Sequence, residues 1–301
     1  MIPNLVIAGA PKCGSTSLFS YLEGHPSVCA ANEQETRFLI DPGYPLYNPN
    51  YNFANLGLAG YDQFFTDFNE TQHKVLMECT PDYLYQELAL TTLSALQPKP
   101  HIVFILRKPS RRIYSLYQFA QNNMGSLGQN ISFNEFLQMV RSGSIPSEKA
   151  ILANTLEHSN YAQYLKRWID AFGKQRITII IFEELVKDPK GALQPLVTKL
   201  GLDAEFYETY SFEQKNISIQ VKNQKIFQLV RTLKKMVPNL STALPILKHL
   251  KALYHRFVIS KKKRDLSAEE RKLLDELDEE FSPLNIELSN LTGSDFSPWN
   301  P

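Results

Sequence analysis

Ala8-Gly-Ala-Pro-Lys-Cys-Gly-Ser-Thr-Ser-Leu18 is the segment that decides the fold of this 301-residue chain. It follows a short apolar run, Leu5-Val-Ile-Ala8, and leads into residues 15–23, which have the leucine spacing of a helix. A strand, a glycine-containing turn and a helix N-terminus direct several backbone N–H groups and the positive end of the helix dipole to one place. The segment therefore predicts a phosphate-binding loop after the first strand of an α/β fold.

The position of its lysine separates this loop from the Walker pattern of nucleoside triphosphatases, Gly-x4-Gly-Lys-Ser/Thr. Gly9 and Gly14 have the Walker spacing, but Ser15 occupies the position of the Walker lysine, and the lysine of the loop is Lys12. No acidic Mg²⁺ ligand is apparent after a later strand, so the γ-phosphate of ATP is a poor ligand for this loop. A glycine turn that only joins a strand to a helix is the structural alternative.

Composition is that of an ordinary globular protein, with 43% hydrophobic residues, 21% charged residues and a net charge of +1. The first strand begins too early to leave room for a signal peptide, and no apolar run approaches the length of a membrane span. Cys13, Cys29 and Cys79 are too few and too scattered for a disulfide framework or a zinc site. We therefore expect a cytoplasmic protein without a metal centre. Cys13 lies beside Lys12 and a helix N-terminus, which would lower its pKa.

Three further apolar runs, at 75–79, 101–106 and 176–182, lack alternation, as strands buried on both faces of a parallel sheet do. Helical patterns occur between and after these runs at 110–122, 133–141, 161–172 and 191–200. This alternation predicts a three-layer α/β/α fold with a central parallel sheet, of the P-loop NTPase type. Residues 40–65 have no periodicity and are expected to form a long loop near a site.

The C-terminal part differs from this core in character. We expect residues 1–301 to form a single domain, in which residues 1–210 are the α/β core and residues 211–301 are a mainly helical part that covers the site. Strands are expected to stop after residue 210. Helical patterns occur at 220–236, 246–259 and 267–280, and the last of them begins with the capping box Ser267 and Glu270.

A one-signed block of charge lies in this C-terminal part. Between Gln214 and Arg264 the chain has no Asp or Glu, while lysines and arginines recur throughout. Such a block attracts anions, so the segment 214–264 is a candidate for contact with an anionic surface, such as a glycan, an acidic carrier protein or a membrane. A solvated helix that packs by one face on the core is the alternative. We expect no nucleic acid partner.

A second phosphate-binding motif follows the strand at 101–106: Arg107-Lys-Pro-Ser-Arg-Arg-Ile-Tyr-Ser-Leu-Tyr117. In open parallel sheets the ligand lies beyond the carboxyl ends of the strands, where Arg107 leaves this one. Pro109 is suited to open a helix, and Ser115 follows within two turns. A guanidinium and a hydroxyl at such a place are typical phosphate ligands. The alternative is a solvated basic helix start.

These two motifs together resemble those of the sulfotransferases that use 3′-phosphoadenosine 5′-phosphosulfate (PAPS). Pro11-Lys-Cys-Gly-Ser-Thr-Ser-Leu18 is similar to the 5′-phosphosulfate loop of that family, and Arg107-x-Pro-x-x-Arg-x-x-Ser-x-Tyr117 is similar to its 3′-phosphate motif. The resemblance covers nearly the whole chain, with further matches at 78–83, 159–168 and 291–299.

The resemblance implies PAPS as the donor, adenosine 3′,5′-bisphosphate (PAP) as the product and no requirement for a metal. Lys12 would stabilise the charge that develops on the leaving phosphate. A basic loop near 216–218 would extend over the 3′-phosphate. The implied cofactor-binding residues are Lys12, Cys13, Gly14, Ser15, Thr16 and Ser17 at the 5′ end, with Arg107, Ser115 and Lys222 at the 3′ end.

An acceptor hydroxyl needs a base when it attacks the sulfur. In the glycan-type branch of the family this base is a glutamate in a Lys-Glu-x-His-Phe-Phe-like segment, which corresponds to Gln34-Glu-Thr-Arg-Phe-Leu39, so Glu35 is the predicted base. Gln34 and Arg37 depart from that pattern. Arg37 would favour the ionised form of Glu35, or the two side chains would form only a structural pair. Glu78 is the second candidate carboxylate and would more readily orient Lys12 or the acceptor.

The expected reaction is in-line transfer of a sulfuryl group to a hydroxyl or an amine of a small molecule, a glycan, a lipid or a carrier-tethered acceptor. Two other classes of function stay open from the residues alone. A P-loop kinase or ATPase would turn over ATP with Mg²⁺, and a catalytically silent binder of anionic nucleotides would bind PAP without any transfer.

Overall fold

The structure, a computed structural model, describes residues 1–213, 220–221, 259–260 and 265–301. Its centre is a five-stranded sheet in which every neighbouring pair of strands is parallel. In spatial order the strands are β2 (Val28–Ala30), β3 (Val75–Cys79), β1 (Leu5–Gly9), β4 (His101–Leu106) and β5 (Ile177–Ile181).

Burial explains why these segments form strands. Every residue of β1, β3 and β4 is buried, in agreement with the continuous apolar runs of the sequence. The helices that the structure describes are α1 (Ser15–Glu23), α2 (Phe53–Leu56), α3 (Glu87–Ala95), α4 (Pro109–Phe119), α5 (Phe133–Arg141), α6 (Ala150–Ala153), α7 (Tyr161–Phe172), α8 (Phe182–Lys187), α9 (Pro189–Lys199) and α10 (Ala268–Thr292). A π-helical turn, Ala120–Met124, continues α4. The predicted α/β fold with a central parallel sheet is confirmed.

Two apolar clusters hold these layers together. The larger one surrounds the sheet, and the second lies between α4, α5 and α10. Ile113 of α4, Phe136 of α5 and Leu277 of α10 are each fully buried in the second cluster. The second cluster therefore joins the C-terminal helix to the helix that carries the Arg107–Tyr117 motif.

Several element boundaries match the sequence prediction, among them those of α1, β3, β4, α5 and α7. The capping box of Ser267 and Glu270 is present. The predicted end of that helix at residue 280 is wrong, because α10 continues through Pro283 to Thr292 and ends at Gly293, which has a φ of 79°. At Gly293 the left-handed backbone favours glycine and terminates the helix.

Other predictions fail for identifiable reasons. Strand β2 was not predicted, because three residues carry too little pattern. Strands do not stop after residue 210, since Gln220–Val221 pairs antiparallel with Ile259–Ser260. Segment 40–65 is not all loop, because α2 and the 3-10 helix Leu58–Phe64 lie within it. The helices predicted at 220–236 and 246–259 lie outside the described residues, except for residues 220–221 and 259, which belong to that strand pair. The single-domain organisation stays a prediction.

Candidate functional site

The loop between β1 and α1 has the form of an anion-binding turn. Gly14 stands at the N-cap of α1 with a φ of 98° and, as a glycine, has no side chain with which to cap the helix. A Cβ atom on Gly14 would lie 2.6 Å from the ring of Phe182, so both the backbone and the packing require glycine there. Ser15 is buried in the first helical turn, and Thr16 and Ser17 are half-buried beside it. The helix N-terminus is therefore directed into the loop.

A buried arginine fixes the shape of this loop. Arg112 is 1% exposed, and its Nε donates a hydrogen bond of 3.1 Å to the carbonyl of Pro11. Its Nη1 donates to the hydroxyl of Ser159 (2.9 Å) and the carbonyl of Thr155 (3.3 Å), and its Nη2 donates to the hydroxyl of Tyr85 (3.1 Å). Because both ends of its guanidinium are used within the protein, Arg112 supports the loop and is not a phosphate ligand.

We expect Arg112→Met to lower the free energy of unfolding by about 3 kcal/mol and to weaken donor binding, because the substitution leaves several buried polar groups without partners. Urea denaturation and calorimetric titration with PAP measure the two effects. Arg111→Met is the matched control, and we expect it to change stability by no more than about 0.5 kcal/mol. Equal stability of the two variants would contradict a supporting role for Arg112.

Arg107 lies at the carboxyl end of β4 and reaches the same loop. Its Nη1 is 3.5 Å from the carbonyl oxygen of Lys12, and its guanidinium carbon lies 4.7 Å from the centroid of the Phe182 ring. Its Nε is buried and has no hydrogen-bond partner among the described residues. Burial lowers the pKa of Arg107 from its usual value. An arginine with a buried, unused donor is suited to bind an anion.

Helix α4 begins at Pro109, as predicted, and the C-terminal helix holds its first turn. Asp278 of α10 forms an ion pair of 2.7 Å with Lys108 and accepts a hydrogen bond from the hydroxyl of Ser110. Ser115 is half-buried in the second turn, and its side chain makes no hydrogen bond to another described residue. The second motif therefore presents Arg107 and Ser115 on a rigid helix start.

Lys12 has a left-handed backbone, with a φ of 68°, and its Nζ lies 3.5 Å from the centroid of the Phe119 ring. Burial, and then the positive charge of Arg107, lowers the pKa of Lys12 to about 8. The negative charge of Glu35 acts in the opposite direction. Lys12 is therefore an ammonium at neutral pH whose proton is held less firmly than that of a surface lysine.

The thiol of Cys13 does not face the loop opening. Cys13 is 0% exposed, and its Sγ lies 3.6 Å from the hydroxyl of Tyr161, which donates a hydrogen bond of 2.8 Å to the carbonyl of Arg107. Burial raises the pKa of this thiol, so the expectation of a lowered pKa is wrong. The effect of losing water exceeds that of the nearby cations. Only the backbone of Cys13 is therefore available to contact a bound nucleotide.

Glu35 is half-exposed at the site and pairs with Arg37. Its Oε2 lies 2.8 Å from Nη2 of Arg37, and 35% of the Glu35 side chain is exposed. Arg37 has a φ of 55°, and its backbone N–H donates to the hydroxyl of Thr80. The negative charge of Glu35 favours the charged form of Lys12, although burial has the larger effect on the pKa of that lysine. Glu35 and Lys12, the two residues predicted to be catalytic, therefore belong to the same part of the structure.

Glu78 has a different environment from the one predicted. It is 0% exposed and is surrounded by hydroxyl groups that donate to its two carboxylate oxygens, and burial raises its pKa. Nothing among its contacts in the described part of the chain reaches Lys12, so the expectation that Glu78 orients Lys12 is not supported. Its partners are Tyr83 (2.6 Å), Tyr61 (2.8 Å), Thr80 (3.5 Å) and Thr36, which is the neighbour of Glu35.

Asp82 is a carboxylate near the site that the sequence analysis missed. It is 6% exposed and accepts a hydrogen bond of 2.6 Å from the hydroxyl of Tyr44. Burial is the main effect that raises its pKa to about 6, and the negative charge of Glu35 adds to it. The only signal in the sequence was its place, three residues beyond β3 in the turn that Pro81 opens.

Lys222 and the basic loop predicted at 216–218 lie outside the described residues, as does nearly all of the basic segment 214–264. Within the described ranges, no group of three or more His, Cys, Asp or Glu side chains is arranged to hold a metal ion. No helix in the described part of the chain is both long and apolar enough to cross a membrane. All three cysteines are free and buried.

Comparison with known proteins adds the following. A family model described as "Sulfotransferase domain" matches residues 3–276. The bifunctional heparan sulfate N-deacetylase/N-sulfotransferase 1 of Caenorhabditis briggsae is 29% identical over 218 residues, which are 69% of this chain and 24% of that protein. Bifunctional heparan sulfate N-deacetylase/N-sulfotransferase 3 of Homo sapiens is 28% identical over 202 residues, or 67% of this chain and 22% of that protein. The chain spans about a quarter of the length of these relatives.

A crystal structure of a sulfotransferase from Alicyclobacillus acidocaldarius is similar in fold. The TM-score is 0.66 at 21% sequence identity, and the alignment covers 99% of both chains. At this level of sequence identity the likeness concerns the fold alone.

Proposed function

This chain belongs to the sulfotransferase domain family, whose members use PAPS as the sulfuryl donor, and on that premise we propose how its residues perform the transfer. The acceptor oxygen or nitrogen attacks the sulfur of PAPS in line with the bond from sulfur to the bridging oxygen. That bond breaks, PAP leaves, and the proton of the acceptor goes to a base. Lys12 stabilises the leaving phosphate, and Glu35 is the base.

One observation carries this proposal: two residues with cationic side chains follow the carboxyl ends of neighbouring strands. Lys12 follows β1, Arg107 follows β4, and the guanidinium of Arg107 approaches the carbonyl of Lys12. A nucleotide with phosphates on both the 5′ and the 3′ positions of its ribose matches such a pair. The 5′-phosphosulfate would lie against the N-terminus of α1, and the 3′-phosphate would bind Arg107 and Ser115.

Charge develops on the bridging oxygen and the 5′-phosphate as the bond to sulfur breaks. The Lys12 ammonium lies in a partly buried site, where it stabilises such charge more strongly than water would. Its pKa of about 8 also suits it to donate a proton to the leaving oxygen. This is the physical reason why the loop has its lysine between Gly9 and Gly14. A Walker loop instead has its lysine directly after the second glycine.

Glu35 is the better candidate for the base because it is both accessible and near the lysine. An acceptor can reach a carboxylate that is 35% exposed, whereas Glu78 is buried and its oxygens are used by hydroxyl groups. We assign Glu78 the role of fixing the segment around Thr36. Asp82 is too buried to meet an acceptor in this arrangement.

We propose a glycan amine or hydroxyl as the acceptor, ahead of a lipid, a small molecule or a carrier-tethered chain. The names of the relatives, which describe heparan sulfate N-sulfotransferases, support this choice. A transfer assay with ³⁵S-labelled PAPS tests it, with N-desulfated heparan sulfate as the acceptor and its re-N-acetylated form as the control.

The expected result is incorporation of label that falls when the amine is acetylated. Label that appears in both polysaccharides would indicate a hydroxyl acceptor. Label only in a lipid, phenol or carrier-bound acceptor would contradict the glycan proposal while leaving the transfer mechanism intact. Tight binding of PAP without transfer to any acceptor would favour a silent nucleotide binder.

We propose a reducing, cytoplasmic location, which the three free and buried cysteines support. We also propose that the segment 214–264 contacts an anionic surface, on the strength of its one-signed charge. The ion pair and the buried cluster that join α10 to α4 support one domain for the whole chain.

A further inference from the structure

The ammonium of Lys12 has an unusual direct partner. The centroid of the Phe119 ring lies 3.5 Å from Nζ. Among the described residues, no carboxylate forms an ion pair with Lys12, and no acceptor forms a hydrogen bond with its Nζ. The aromatic face is therefore the direct contact that holds the tip of the side chain in place.

An aromatic face holds a cation differently from a carboxylate. The ring attracts the ammonium through its quadrupole, but it does not use up the three N–H donors as hydrogen-bond acceptors would. A carboxylate at the same place would compete with the leaving phosphate for those donors. The ring therefore keeps the lysine charged and in place while leaving it available to the donor.

We propose that Phe119 is a positioning residue that holds the Lys12 ammonium at the loop and favours its charged form. This inference rests on the proposed function of Lys12 in sulfuryl transfer. It adds a residue that neither the loop motif nor the 3′-phosphate motif contains.

The position of Phe119 on α4 places it on the same helix as a predicted phosphate ligand. Phe119 is four residues beyond Ser115, so the two side chains lie one turn apart on the same face of the helix. The first turn of α4 is held by Asp278, and Ile113 is buried against the C-terminal helix. One rigid helix thus carries both the predicted 3′-phosphate ligand and the seat of the lysine.

Burial and nearby charges also affect the pKa of Lys12. Burial, Arg107 and Arg112 lower its pKa, whereas Glu35 and Cys13 raise it. The ring favours the cation and so acts with Glu35. Replacement of the ring by a leucine side chain, which keeps the ammonium buried but removes the attraction of the ring, should therefore lower the pKa of Lys12 further, from about 8 towards neutrality.

Titration of the lysines by NMR tests the seat without reference to activity. The full chain is labelled with ¹³C at lysine Cε, and the Lys12 signal is assigned by its loss in Lys12→Arg. In Phe119→Leu we expect the pKa of Lys12 to fall by about half a unit or more. In Phe119→Tyr, which keeps the aromatic ring, we expect the pKa of Lys12 to equal that of the wild type. Gln118→Leu is the matched control on the same helix turn, and we expect no shift there.

An unchanged Lys12 titration in folded Phe119→Leu would overturn the proposal, and a thermal melt establishes that the variant is folded. In steady-state assays, Phe119→Leu should lower kcat/KM for PAPS by about three- to thirty-fold and move the alkaline limb of its pH profile to lower pH, and Phe119→Tyr should restore both. If Phe119→Leu shifts the pKa of Lys12 but the wild-type protein transfers no sulfuryl group, the role of Phe119 in holding the ammonium is supported and the proposed function is wrong. The two failures are therefore distinguishable.

Discussion

Lys12→Ala should lower kcat for sulfuryl transfer by about 10²–10³-fold, because it removes the cation that stabilises the leaving phosphate. The loss should appear mainly in kcat, since the charge that Lys12 stabilises grows as the bond to sulfur breaks. Steady-state kinetics with ³⁵S-labelled PAPS measure the effect. Because the pKa of Lys12 is about 8 and the charged form is the active one, wild-type kcat/KM for PAPS should decline as pH rises through that value.

Lys12→Arg is the informative comparison, because it keeps the charge but holds its proton too firmly to donate it. Recovery of most of the activity in Lys12→Arg would show that charge is the essential property, and little recovery would show that proton donation or lysine geometry is. A Lys12→Ala variant with kcat within about three-fold of the wild type would contradict the assignment of Lys12.

Glu35→Gln should lower kcat by about 10²–10⁴-fold with little change in PAP affinity, because the amide has the same shape but cannot accept the acceptor's proton. The pair with Arg37 is half-exposed, so its loss should cost the fold little. Initial rates at saturating donor, together with calorimetric titration with PAP, separate the two properties.

Glu78→Gln and Asp82→Asn are the controls that distinguish the three carboxylates. Glu78→Gln should lower stability, because Glu78 is buried and accepts hydrogen bonds from hydroxyl groups on both oxygens. If Glu35→Gln retains activity while Asp82→Asn loses it at full stability, the base is Asp82 and the assignment of Glu35 is wrong.

The sequence indicated the parts of the site that depend on local pattern. The strand, the Gly9–Gly14 spacing and the first helix turn are contiguous, so β1, the loop and α1 could be predicted together. The same holds for Arg107 and Pro109, which follow one another where β4 becomes α4. Such signals need no knowledge of which distant residues meet.

Contacts between distant segments could not be predicted in this way. Nothing in the sequence indicated that Phe119 would lie over Lys12, or that Arg112 would hold Pro11 from within the second motif. The thiol of Cys13 was misjudged for the same reason, since its burial against Tyr161 is a tertiary contact that raises its pKa. Burial decided the roles of these side chains, and burial is a property of the folded chain.

Glu78 shows that a position after a strand is not sufficient to identify a catalytic group. Its place near the carboxyl end of β3 suggested access to the site, but its side chain points among Thr36, Tyr61 and Tyr83. Alternate residues of a strand face opposite sides of the sheet, and only the packing of the surrounding segments determines which side is open.

Calorimetric titration in EDTA tests most directly the central claim, that Lys12 and its loop bind the 5′-phosphate of a nucleotide while Arg107 and Ser115 bind its 3′-phosphate. We predict that PAP binds without metal, that adenosine 5′-monophosphate binds at least about ten-fold more weakly, and that Ser115→Ala narrows the difference. Equal affinity for the two nucleotides, or binding of ATP only together with Mg²⁺, would contradict it.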